Sequence, residues 1–93
     1  MDFERSLDDE LAKIREMLVT KNKSYGNCAL DPLRIFSKAN SVEQLNVRID
    51  DKISRIMTRG EYPGDDTELD LIGYLILKRI AIHHSYTTNN HAP

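Results

Sequence analysis

Apolar residues recur at helical spacing in four stretches of this chain, and nowhere do they alternate with the period of a strand. In the first stretch Leu7, Leu11, Ile14 and Leu18 form a narrow stripe, predicting a helix over residues 6–21. Ser6 is the expected N-cap, and Asp8, Asp9 and Glu10 suit the positive end of the helix dipole. Ser24-Tyr25-Gly26-Asn27 then signals a turn, because Gly and Asn accept positive φ. Asp31-Pro32 opens a short second helix that carries Leu33, Ile35 and Phe36 and ends near Ala39-Asn40. Ser41-Val42-Glu43-Gln44 is a capping-box pattern for a third helix, which continues to Arg59 and stops at Gly60. After a Glu61-Tyr62-Pro63-Gly64 loop, Asp65 or Asp66 caps a fourth helix reaching His83 or His84. The fold class is therefore all-α: a small four-helix bundle of three long helices and one short one. Residues 1–84 form one helical domain, and 85–93 a flexible polar tail.

Projecting the third helix at 100° per residue separates two faces. Val42, Leu45, Ile49, Ile53, Ile56 and Met57 make the expected core stripe. Arg48, Lys52, Arg55 and Arg59 align on a neighbouring arc about 60° wide. Such a ridge repels itself by a few tenths of a kcal/mol per adjacent pair, so something should offset it. Asp51 can reach Arg48 and Arg55 along the same helix. Acids of other helices can also neutralise the ridge, or it can hold phosphate oxygens, which an Arg fork binds in bidentate fashion.

The fourth helix has two apolar stripes. Leu69, Ile72, Ile76 and Ile80 make one, and Leu71, Leu75 and Ile82 make another roughly opposite. Either this helix is the centre of the bundle or its second stripe meets another copy, and the second reading, a homo-oligomer, is the expectation. Between the stripes lie Asp66, Asp70 and Gly73, with Tyr74 at the edge. A mid-helix glycine suggests close approach by another backbone or a ligand. Asp66 suits a helix N-terminus. Asp70 lies past the first turn and calls for a specific partner, either a basic side chain or a divalent cation.

Composition narrows the function classes. The chain has 93 residues, enough for one domain, and a formal net charge of −2. That charge and the acidic first helix argue against DNA binding and leave any phosphate affinity to local clustering. One cysteine, Cys28, permits no intrachain disulfide and fits a reducing cytoplasm. The N-terminus lacks a basic n-region and apolar core, and no run approaches the ~20 apolar residues of a membrane span. His83, His84 and His91 lack metal-ligand spacing, and no Gly-rich phosphate loop or nucleophile elbow is present.

Three strings carry a resemblance: Lys23-Ser24-Tyr25-Gly26-Asn27, Arg48-Ile49-Asp50-Asp51-Lys52-Ile53-Ser54-Arg55, and Asp66 through Tyr74. They resemble the K-x-x-Y-G, R-x-x-D-K-x-x-R and D-x-x-x-D-x-x-x-Y pattern of short helical phage and prophage proteins of the nucleotide modification associated domain type. The resemblance covers most of the chain, and its middle motif is the most specific. Such proteins are similar in outline to MazG-type all-α nucleoside triphosphate pyrophosphohydrolases, which hold magnesium on E-x-x-E and E-x-x-D clusters. This chain has no E-x-x-E. The resemblance thus implies nucleotide binding, with non-catalytic binding favoured over magnesium-dependent hydrolysis. The candidate ligand residues are Lys23, Tyr25, Gly26, Arg48, Lys52, Arg55 and Tyr74, and Asp66 and Asp70 are the candidate Mg2+ ligands. The alternative expectation is a small phage inhibitor that docks on a host protein.

Overall fold

A computed structural model describes residues 1–26, 30, 39–59 and 66–91, with no side-chain description at Tyr25 or at 85–91. Among these residues there are three helices and no strand: α1 (Phe3–Tyr25), α2 (Ser41–Thr58) and α3 (Thr67–His91). The expected short helix after Asp31-Pro32 falls outside the described residues, as do Cys28, Gly60 and the 61–64 loop. The all-helical class stands, with three helices described where four were expected.

The helices α1 and α2 start four residues and one residue before their patterns suggested, for a capping reason. Asp2, not Ser6, caps α1: the Arg5 N–H donates to Asp2 Oδ1 (3.4 Å) and the Ser6 N–H to the Asp2 carbonyl (3.0 Å). The earlier start adds Phe3, one turn before Leu7, to the apolar stripe. Asn40, not Ser41, caps α2, accepting the Glu43 N–H at 2.9 Å, while Gln44 Nε2 donates back to the Ala39 carbonyl at 2.9 Å. Asn is at least as good a cap as Ser, and this register places Glu43 near the positive helix end. Asp66 caps α3 as expected, taking the Leu69 N–H at 2.9 Å.

The helix ends differ more. Gly26 closes α1 at φ 62°, its N–H donating to the Asn22 carbonyl, so the helix runs past the expected Lys21 stop. Arg59, rather than a glycine, takes the left-handed position ending α2, at φ 55°. Its N–H bonds back to the Arg55 and Ile56 carbonyls, which offsets part of the roughly 1–2 kcal/mol steric cost of that conformation. The backbone of α3 stays helical to His91, beyond the expected end at His84.

The helix α3 is the centre of the arrangement: both α2 and α1 pack on it, and α1 and α2 barely meet. Within one chain, α3 is thus the centre of the bundle, the first of the two readings of its stripes. Its best-buried residues are small, namely Thr67, Gly73 and Ala81, and lie on the face between the two aliphatic stripes. Small residues let neighbouring helices come close. A Cβ on Gly73 would sit 2.9 Å from Met17 Cε and 3.2 Å from Leu18 Cδ2, so the glycine admits α1 at this level. On α2, Leu45 and Ile49 are buried, but Ile53, Ile56 and Met57 of the expected core stripe are exposed. The second α3 stripe is also incompletely covered, with Leu71 half-buried and Leu75 and Ile82 exposed. The molecule is elongated: its radius of gyration is 15.4 Å, against about 12 Å for a compact chain of this length.

Candidate functional site

Asp70 ties the three helices together. Its Oδ2 lies 3.4 Å from Lys52 Nζ of α2, and its Oδ1 accepts from Lys21 Nζ of α1 at 3.3 Å. The Lys52 side chain is 15% exposed and that of Asp70 23%, whereas Lys21 is 53% exposed. The α2 contact is therefore the more sheltered and the α1 contact the more solvated. One turn along both helices, Arg48 Cζ sits 6.0 Å from the centroid of the Tyr74 ring, within cation–π range. These are two successive rungs of one antiparallel ladder, Arg48 level with Tyr74 and Lys52 level with Asp70. The same register sets Ile49 level with Gly73, where Met17 and Leu18 of α1 also arrive. The apolar level thus lies directly beside the charged one.

The basic ridge is largely anchored. Lys52 pairs with Asp70, and Arg55 Nε pairs with Asp51 Oδ2 at 3.2 Å within α2. Arg48 is exposed and lies over the Tyr74 ring at the limit of cation–π range. Arg59 is exposed at the helix end. So Arg48, Lys52 and Tyr74 are brought together, and Arg55 lies one turn further along α2. Lys23 is exposed in the last turn of α1, Gly26 serves as the α1 cap, and the Tyr25 side chain is outside the described residues.

The α1 cation at this node is Lys21, which the candidate set lacked. A sequence signal for it existed: Lys21 follows Leu18 by three and so continues the 7, 11, 14, 18 stripe onto the α3-facing side. Asp66 and Asp70 each have protein partners here. Asp66 Oδ1 is the helix cap, and each Asp70 oxygen faces a lysine ammonium. A dication there would have to displace two positive charges. Among the described residues, no three His, Cys, Asp or Glu side chains gather into a potential metal site.

Lys21, Arg48, Lys52 and Arg55 gather beside an aromatic ring, with Asp51 and Asp70 paired to three of them and Asp66 one turn from Asp70. Chemically, this suits an anion with an attached planar or apolar group. No helix among the described residues is long and apolar enough to cross a membrane. No family model, no curated protein and no solved structure matches the chain.

Proposed function

We propose that the chain binds a nucleotide, or a closely similar phosphate-bearing molecule, on the α2–α3 face and does so without turning it over. The observation that carries this reading is the exposed Arg48 held over Tyr74, one turn from the Lys52–Asp70–Lys21 node. Arg48 offers its guanidinium fork to phosphate oxygens. The half-buried Tyr74 ring is the aromatic contact for a base or sugar. Lys52 and Lys21 hold positive potential behind it, and Asp70 keeps them in place. Magnesium, in this reading, arrives on the phosphates and is not held by Asp66 and Asp70. The resemblance to phage proteins of the nucleotide modification associated type points to the same ligand class, and to a phage protein that sequesters or presents a nucleotide in the host cytoplasm. Lacking an E-x-x-E cluster, the chain has no obvious acidic clamp for pyrophosphohydrolysis.

The test is calorimetric titration with inorganic phosphate and with nucleoside mono-, di- and triphosphates, each with and without magnesium. Binding should strengthen with phosphate number, and Arg48→Ala should weaken it by about 1.5–3 kcal/mol, the scale of a charged hydrogen bond. Arg48→Lys should recover only part of the loss, because an ammonium cannot form the fork. Affinity should fall with added salt. No binding by any of these ligands, or equal binding by Arg48→Ala, rejects the proposal.

A second reading, a small phage inhibitor docking on a host protein, is favoured by one feature: Val47 and Met57 of α2 are 68% and 79% exposed. Paired Val47→Ser and Met57→Ser variants separate the two. They should leave nucleotide affinity unchanged and abolish docking on a host protein.

A further inference from the structure

The helix α3 keeps an uncovered apolar stripe although it lies at the centre of the bundle. Leu75 and Ile82 are 44% and 47% exposed, and Leu71 is half-buried. Neither α1 nor α2 closes this stripe. At 100° per residue its three members lie roughly 160–200° round α3 from Gly73, the residue that receives Met17 and Leu18 of α1. The helix α2 packs between the two sides, with Lys52 and Arg48 meeting Asp70 and Tyr74 on the side towards α1. Ile53 of α2, 42% exposed, borders the bare side. The α2–α3 pair therefore carries α1 on one face and an apolar stripe on the other.

Two properties say what fits this stripe. The first is spacing. Glu68, Leu71, Leu75, Lys78 and Ile82 follow one another at three, four, three and four residues, the pattern of a helix-pairing seam. The second is the order of charge along the seam. It is acidic at Glu68 and basic at Lys78, with the two leucines between them. Among the described residues neither of these charges is in an ion pair, and no Asp or Glu follows Asp70 in the chain.

We infer that this stripe is the docking surface for a second copy of the chain, the two α3 helices pairing antiparallel about a two-fold axis level with Gly73. About that axis Leu71 of each copy packs against Leu75 of the other, and Glu68 of each meets Lys78 of the other. Every one of these layers is apolar on apolar or acid on base. Parallel pairing would set Glu68 on Glu68 and Lys78 on Lys78, and is disfavoured. A seam that maps onto itself when reversed is what a two-fold interface requires. Arg79, exposed next to Lys78, adds to the basic end that receives Glu68. The inference is independent of the nucleotide reading, since Arg48, Lys52 and Asp70 lie on the other side of the α2–α3 pair and keep their contacts.

Sedimentation of the full chain between about 1 and 100 μM should show a concentration-dependent dimer. Leu75→Glu should yield a monomer with unchanged helical circular dichroism. Charge variants keep the test independent of that substitution. Glu68→Lys sets lysine against lysine, and Lys78→Glu sets glutamate against glutamate. Each alone should dimerise at least about tenfold more weakly than the unaltered chain. Two combinations restore every pair. An equimolar mixture of the two single variants should form a heterodimer, and the double exchange, Glu68→Lys with Lys78→Glu in one chain, should form a homodimer again. Four results would overturn the inference: a monomer throughout that concentration range, a dimer unchanged by both single charge variants, failure of both combinations to recover the dimer, or a dimer dispersed by Leu11→Glu on α1 and not by Leu75→Glu.

Discussion

The α2–α3 pair and the helix α1 are built from similar amphipathic material and reach different outcomes. Along α2 and α3 the contacts are laddered, with Arg48 over Tyr74 and Lys52 on Asp70, and with Leu45 and Ile49 buried on the same helix. Along α1 they are gathered at one end, where Met17 and Leu18 meet Gly73 and Lys21 meets Asp70. The α1 stripe is as regular as the α2 stripe. Regular spacing makes a helix amphipathic, but burial depends on whether a neighbour runs alongside for its whole length. On α3 the small residues Thr67, Gly73 and Ala81 let its neighbours approach closely, while Ile80 is left exposed.

The largest expected contrast is in the apolar side chains. Leu45 is 1% exposed, so Leu45→Ala should cost about 2–5 kcal/mol in urea unfolding. Leu7→Ala, at 44% exposure, should change subunit stability by about 0.5 kcal/mol or less when measured at nanomolar concentration. Equal losses from both would mean that α1 is as well packed as α2.

Gly73 is where the two regions join. Gly73→Leu would drive a side chain into Met17 and Leu18, and should cost about 1–3 kcal/mol by overpacking. Hydrogen exchange should then show α1 amides losing protection before those of α2. Gly73→Ala should be far milder, because the nearest atom is the flexible end of Met17 and the helix gains propensity.

The two lysines on Asp70 offer a finer comparison. Lys52→Ala should destabilise by about 1 kcal/mol, through the loss of a sheltered pair and of its packed stem. Lys21→Ala, from a solvated contact, should cost only a few tenths of a kcal/mol, fading in high salt. If the order is reversed in denaturant titrations, α1 contributes more to the node than its exposure indicates.

The last pair of effects concerns the helix ends. Gly26→Ala should destabilise by about 1 kcal/mol, because φ 62° suits glycine. Arg59→Gly should stabilise by a comparable or smaller amount for the same reason in reverse, at φ 55°. Thermal melts of these two variants should move in opposite directions.

Much of this was legible along the chain. Helical class, the α3 cap at Asp66, the need of Asp70 for a partner and the close approach at Gly73 all follow from local chemistry: periodicity, an acid at a helix start, a carboxylate past the first turn, and a residue without a Cβ. The Asp51–Arg55 pair follows equally, since residues four apart on a helix must be neighbours. Other features depended on which helix lies beside which. That Asp70 meets Lys52 and Lys21, and that α3 is central, required residues far apart in sequence to be brought level with one another. So did the exposure of Ile53, Ile56 and Met57 in a stripe whose earlier members are buried. Periodicity specifies the face a side chain occupies on its own helix, whereas burial and pairing are decided by the length and angle over which a second helix meets that face.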